Sequence, residues 1–267
     1  MILSEINKLP VPKRIVSLVP SQTELLYYLG LNNSIVGITK FCVHPEKHHL
    51  TKTIIGGTKN INLTKINSLQ PDLIIANKEE NVKEQINQLA ENFDILVTDV
   101  NNFETALSMI KNIGQLTNKV EECANLIKTI KYNFNQIPIL SIKINTAYFI
   151  WKKPYMTIGG DTFINDMLTR CGLRNIFIHK KRYPEVSIND LKNLNCQLLL
   201  LSTEPYPFKQ NDIDELQLLL PKTIILLVDG EMFSWYGSRL LLSSNYFKNL
   251  LFDVGKLMDL STVLPVK

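Results

Sequence analysis

The sequence predicts an α/β protein of two lobes with a long helix between them. Three observations carry this reading. Strand-like apolar runs alternate with helix-period stretches on both sides of the middle of the chain. The middle itself, from Glu104 to Phe134, is helical in pattern throughout, and the two sides echo each other.

The first strand signal is Arg14-Ile15-Val16-Ser17-Leu18-Val19, closed by Pro20. Ser21-Gln22-Thr23-Glu24 then has the spacing of a capping box, and the helix it opens stops at Gly30, which tolerates the left-handed conformation past a helix end. Further strands are expected at Ile35 to Ile38, Asp72 to Ala76 and Asp94 to Val97, with the helical set Val82, Ile86, Leu89 and Ala90 before the last. Ala106, Met109, Ile110 and Ile113 lie at i, i+3, i+4 and i+7, and Val120, Cys123, Ala124, Ile127 and Phe134 form a second stripe. No Gly or Pro falls between Leu116 and Gln136, which predicts one helix of roughly 30 Å there. Strands resume at Ala147 to Trp151, Gln197 to Ser202 and Thr223 to Val228. Gly159-Gly160-Asp161 leads into a helix ended by Gly172, and Ser187 opens another. The segment Ile66 to Ala76 parallels Leu191 to Leu201, each a short amphipathic helix running straight into a buried strand. The expected organisation is therefore residues 1–115 as one lobe, 116–137 as the connecting helix and 138–267 as the second lobe.

At 267 residues, with 45% apolar and 20% charged residues, the chain can bury sizeable cores and is not a disordered tail. No apolar run reaches eighteen residues, so no transmembrane helix is expected. The net charge of +4 is spread out, with no block of five like charges, which argues against a nucleic-acid surface. Cys42, Cys123, Cys171 and Cys196 form no Cys-x-x-Cys pair, so a disulfide framework is not expected. The start, Met-Ile-Leu-Ser-Glu-Ile-Asn-Lys, lacks the features of a secretory leader; the expectation is a cytoplasmic protein if this start is native and a periplasmic one if a leader was trimmed.

Strand carboxyl ends are where open α/β sheets bind ligands, and three segments follow predicted strands there. Asp229 to Arg239 crowds Glu231, Phe233, Trp235, Tyr236 and Arg239 into eleven residues; the structural alternative is a loop whose rings cap a lobe. Glu204-Pro205-Tyr206-Pro207-Phe208 follows the strand ending at Ser202, and Trp151 to Met156, with Tyr155, follows the strand ending at Trp151. Cys42 and His44, after the strand ending near Ile38, are candidate metal or tetrapyrrole ligands, although two ligands do not close a site; a buried thiol and a hydrogen-bonded imidazole are the preferred reading. No catalytic residues are assigned: there is no G-x-S-x-G, P-loop, H-E-x-x-H or G-x-G-x-x-G motif.

Arg14 to Leu25, the strand Leu69-Gln70-Pro71-Asp72-Leu73-Ile74-Ile75-Ala76, and Gly160 to Ile164 with Cys171 to Asn175 together resemble the helical-backbone (class III) solute-binding proteins of ABC importers, with the vitamin B12-binding branch closest. The resemblance covers nearly the whole chain in order. It implies two Rossmann-like lobes joined by a single long backbone helix, a ligand cleft between them, and a bound corrinoid, haem or iron–siderophore. It also implies an ABC permease as partner, a monomer, no nucleic acid and no required cofactor. On it, Tyr155 and Tyr183 match ring positions against the ligand and Glu231 a late acidic position. Gly56-Gly57-Thr58-Lys59 stands where that branch has a ligand-stacking Trp. Thr64 and Asn189 stand where the family has the two glutamates that dock on the importer, so docking through that pair is not expected. The competing expectation is a cytoplasmic enzyme or chaperone handling a tetrapyrrole or metal, using Cys42, His44, Glu204 and Glu231.

Overall fold

The computed structural model describes residues 1–3, 10–49, 51–140, 142–258 and 263–264. The chain forms two compact units. Unit 1 comprises Met1–Val100, Glu104–Thr129 and Trp235–Arg239; unit 2 comprises Asn101–Phe103, Ile130–Ser234 and Leu240–Lys267.

In unit 1 the elements are β1 (Ile15–Ser17), α1 (Pro20–Tyr28), β2 (Ile35–Ile38), α2 (Glu46–His49), β3 (Thr53–Ile54), α3 (Leu63–Leu69), β4 (Leu73–Asn77), α4 (Lys83–Ala90) and β5 (Ile95–Thr98). The strands form one parallel sheet in the order β3-β2-β1-β4-β5. Ile15, Val16 and Ser17 have no exposed surface, as a central strand covered on both faces requires. Val16, Leu18, Ile66, Ile74, Ile86, Leu89 and Ile95 build one core face. The order reverses between β1 and β4, so their carboxyl ends, at Ser17 and Asn77, flank the switch point.

Helix α1 begins earlier than the capping box implies. Val19 is the N-cap in extended conformation, makes no side-chain cap, and Pro20 is the first helical residue. Proline's fixed φ and missing N–H suit that position, which moves Ser21 and Glu24 inside the helix and frees Glu24 for another partner.

The helical middle is two helices, α5 (Phe103–Leu116) and α6 (Val120–Phe134). The helix expected from Leu116 to Gln136 is α6, unbroken but starting four residues later, because Asn118 adopts φ 54° and Lys119 N–H donates back to Gly114 O at 2.7 Å, which ends α5 first. This closes the helix as a left-handed glycine would. Gly114 lets α6 approach: a Cβ there would lie 2.8 Å from Cys123 Sγ.

Unit 2 continues with β6 (Ile139–Leu140), β7 (Ile144–Phe149), α7 (Phe163–Arg170), β8 (Leu173–Asn175), α8 (Ile188–Asn193), β9 (Leu198–Ser202), α9 (Gln210–Leu219), β10 (Ile224–Val228), α10 (Gly230–Ser234), α11 (Leu240–Leu257) and β11 (Val263–Leu264). Its main sheet is parallel, ordered β10-β9-β7-β8, with β6 and β11 paired antiparallel apart from it. Leu198 to Leu201 are fully buried, and Ala147, Phe149, Phe177, Leu191, Leu199 and Leu201 centre one face of the core. The capping box at Ser187 forms with Asp190, and Gly172 takes φ 71° after α7. Here the strand order reverses between β7 and β9, so the switch point lies at Phe149 and Ser202.

Candidate functional site

At the carboxyl end of the unit 1 sheet lies a buried polar network. Thr98 Oγ1 receives Gln22 Nε2 at 2.6 Å and Asn77 Nδ2 at 3.2 Å and donates to Ala76 O. Asn77 Oδ1 accepts the amides of Glu79 and Glu80, and Asn81 Oδ1 accepts the Asn77 amide. These bonds fix the turn after β4 and hold Glu80 in place.

The segment Trp235–Arg239 belongs to this unit and packs onto that end. Tyr236 OH donates to Glu80 Oε1 at 3.3 Å, and Arg239 pairs with Glu24 through Nε at 3.0 Å and Nη2 at 2.9 Å. The Trp235 ring meets His44 edge-on, centroids 5.4 Å apart, and carries the Arg239 guanidinium 5.0 Å from its own centroid. Gly237 turns at φ 97° where a Cβ would lie 3.3 Å from both Leu25 Cβ and Ser21 O. Trp235, Tyr236 and Arg239 are all buried. Burial, and next the nearby Glu80 charge, pushes the Tyr236 hydroxyl well above its ordinary range, so it is a neutral donor.

Cys42 is fully buried between the hydroxyls of Thr23 and Thr39, each 3.2 Å from Sγ. Burial pushes its thiol up, against the hydrogen bonds from those threonines. A neutral thiol in a hydroxyl cage is a packing residue, not a thiolate ligand. His44 is half-buried against Trp235. Among the described residues no group of three or more His, Cys, Asp or Glu is placed to hold a metal ion.

In unit 2 the carboxyl end is aromatic. Trp151 is 41% exposed and meets the half-buried Tyr206 edge-on at 5.8 Å; Tyr206 in turn packs on Phe208. Tyr155 stacks on Phe149 at 5.0 Å, and its carbonyl receives the Val186 amide. Lys152 anchors the loop, with Nζ 2.6 Å from Asp212 and 2.7 Å from Glu215. Tyr183 is half-buried under the Arg182 guanidinium, 5.5 Å from its ring centre. After β9, Ser202 Oγ receives Tyr148 OH and donates to Glu204 O, while Ser234 Oγ donates to Glu204 Oε1 at 2.6 Å. A Cβ on Gly230 would run into Glu204 Cγ and Ser202 Oγ, so α10 starts in direct contact with that turn. Glu231 is half-buried in its first turn.

The expected site residues thus fall into three groups. Tyr155, Tyr183 and Tyr206 lie at the carboxyl end of the unit 2 sheet and retain accessible surface, as does Glu231. Trp235, Tyr236 and Arg239 are locked into unit 1. Phe233 has no exposed surface and packs among Tyr148, Tyr246 and Phe247, so it serves the unit 2 core. Trp151 was not among the expected site residues, although its place at the end of a predicted strand and beside a Lys-Lys-Pro turn was the available signal.

The family described as periplasmic binding protein matches residues 15–218. An uncharacterized ABC transporter substrate-binding lipoprotein of Bacillus subtilis (strain 168) is 28% identical over 196 residues, covering 69% of this chain and 62% of that protein. A vitamin B12-binding protein of Vibrio campbellii (strain ATCC BAA-1116) is 27% identical over 200 residues, covering 71% and 70%. A possible iron-binding (periplasmic solute-binding) protein from Staphylococcus epidermidis ATCC 12228 superposes with TM-score 0.75 at 25% identity, covering 92% of this chain and 99% of that one. With two parallel α/β sheets of matching order and a family match over most of its length, the chain belongs to the periplasmic binding protein family and is a solute-binding protein rather than an enzyme.

Proposed function

We propose that this protein captures a flat, metal-bearing small molecule of the corrinoid, haem or ferric-chelate class and hands it to an ABC permease. The observation that carries the reading is the aromatic carboxyl end of the unit 2 sheet. Trp151 stands 41% exposed beside Tyr206, and Tyr155 and Tyr183 lie on neighbouring turns. Exposed rings at a switch point suit a flat solute that needs apolar faces with a few oriented charges. The relatives named for vitamin B12 and iron support the solute class, and the lipoprotein relative supports a place outside the cytoplasmic membrane. No helix among the described residues is long and apolar enough to cross a membrane.

The proposed protein acts as a monomer, needs no cofactor, and holds the metal through its chelating ligand. Docking on the permease uses groups other than positions 64 and 189: Thr64 on α3 and Asn189 on α8 are both exposed and uncharged. Absorbance and tryptophan-fluorescence titration with cobalamin, haem and ferric chelates tests the function. Saturable one-to-one binding of one class, weakened by roughly tenfold or more in Trp151→Ala, is expected from the loss of a stacking ring. Absence of saturable binding to all three classes overturns it.

A further inference from the structure

The turn after β8 is basic, exposed and built to stay in one conformation. His179, Lys180, Lys181 and Arg182 are consecutive and all exposed. Like charges on neighbouring residues repel, and a free loop would spread them. Here the backbone is pinned instead. Gly159 N–H donates to Arg182 O at 2.7 Å, Gly160 N–H donates to Lys180 O at 2.9 Å, and Arg182 N–H donates to Asp161 Oδ1 at 2.6 Å. The approach requires both glycines. A Cβ on Gly159 would lie 2.5 Å from Lys180 O, and one on Gly160 would overlap Ile178 O. Arg182 itself sits at φ 55°, a strained value for an arginine.

The turn also has a definite place. Strands β7 and β8 are parallel neighbours, so the chain leaving β8 emerges at the same end of the sheet as Trp151. The two exits are tied together: Met156 pairs with both Trp151 and Glu185, and Thr157 N–H donates to Pro184 O. Lys153, exposed at φ 66° in the first exit, adds a fourth cation, while Lys152 is already neutralised by Asp212 and Glu215. Three acids lie nearby. Asp161 accepts the Arg182 amide, Asp190 accepts the amide and hydroxyl of Ser187 and lies within electrostatic reach of Lys180, and Glu185 is exposed.

We infer that the solute bears anionic carboxylates and that Lys180, Lys181 and Arg182 are the subsite selecting them, next to the rings that take its flat face. This rests on the solute-binding reading above and adds the charge of the solute to it. Strain and repulsion held in place by two obligatory glycines are the mark of a positioned binding group. Ammonium and guanidinium groups on a rigid turn recognise carboxylate oxygens through short, charge-assisted bonds.

The test titrates the full chain with two probe pairs: haem against its dimethyl ester, and ferric citrate against the cationic ferric complex of desferrioxamine. The wild-type protein should prefer the carboxylate form of at least one pair by about tenfold or more, with the preference shrinking as salt rises. Lys180→Ala/Lys181→Ala should erase that preference while leaving the ester or cationic probe unchanged. Lys222→Ala, at the opposite end of the sheet, should preserve it. Equal affinity within both pairs, or an equal loss for both members in the double variant, overturns the anionic subsite while leaving solute capture standing. Binding of none of the four probes by the wild-type chain overturns this inference, and the function itself if cobalamin too fails to bind.

Discussion

Arg239 and Glu24 meet with side chains only 7% and 18% exposed, in a bidentate pair made by a residue next to a chain crossing between units. A desolvated pair of this kind adds little over a well-packed apolar pair, but removing one partner strands the other charge. Arg239→Ala should therefore destabilise the protein by about 3 kcal/mol or more in urea unfolding, and Arg239→Lys should recover only part because an ammonium cannot pair bidentately. A loss below about 1 kcal/mol would mean that Glu24 is satisfied without it. The buried tyrosines make a second expectation. Tyr27 is pushed up to about 12, chiefly by burial with Cys42 adding to it, and burial raises Tyr148 and Tyr236 as well. In each the folded state disfavours the phenolate, while the unfolded chain releases its proton near pH 10. Above that pH the folded state holds more protons than the unfolded one. Stability is thus intact below pH 10 and falls as pH rises past it, by about 1.4 kcal/mol per pH unit for each tyrosine. Urea midpoints between pH 9 and 11 check this, and a flat profile would contradict the burial of the three hydroxyls.

At the scale of elements, strands were easier to read than helix ends. The apolar runs ending at Val19, Ala76, Ser202 and Val228 end within two residues of the observed strands, because a continuous apolar run bounded by polar or turn residues marks a strand of a parallel sheet plainly. Helix starts and breaks were misread where one residue outweighed a pattern. Pro20 overrode the Ser21–Glu24 spacing, and Asn118 set the boundary between α5 and α6 where no Gly or Pro marks one. Asparagine reaches the left-handed region at low cost, so its break leaves no mark in a hydrophobicity pattern. Replacing Asn118 with Gly should hold or raise stability by a few tenths of a kcal/mol, whereas Asn118→Val should lower it by about 1–2 kcal/mol, since a β-branched residue pays the full left-handed penalty. Thermal unfolding of both variants separates the cases. If valine is harmless, the junction of α5 and α6 tolerates a continuous helix.

For the whole molecule, two parallel α/β units follow from the alternation of elements, and the strand-end rule located both carboxyl ends. It did not tell which rings there are core and which are accessible. Phe233 and Tyr155 carry the same sequence-level signal, yet one is enclosed by three aromatics and the other keeps surface beyond Phe149, a difference fixed by tertiary packing alone. Thermodynamic linkage turns that distinction into a measurement on the intact protein. A solute that binds only the folded state raises its stability by RT ln(1 + [L]/Kd), about 2.7 kcal/mol at a hundred times Kd. For a chain this long that amounts to a rise in Tm of roughly 2–4 °C per kcal/mol. The chelate that saturates in titration should therefore raise Tm by several degrees, and the rise should grow with the logarithm of its concentration. Trp151→Ala should keep the solute-free Tm nearly unchanged, because a ring 41% exposed contributes little core, while requiring more solute for the same rise. Phe233→Ala should do the reverse, lowering the solute-free Tm sharply as a cavity opens among Tyr148, Tyr246 and Phe247. Absorbance changes without a concentration-dependent Tm would mean that the chelate adheres to folded and unfolded chain alike, and the aromatic end of unit 2 would then not be a binding site.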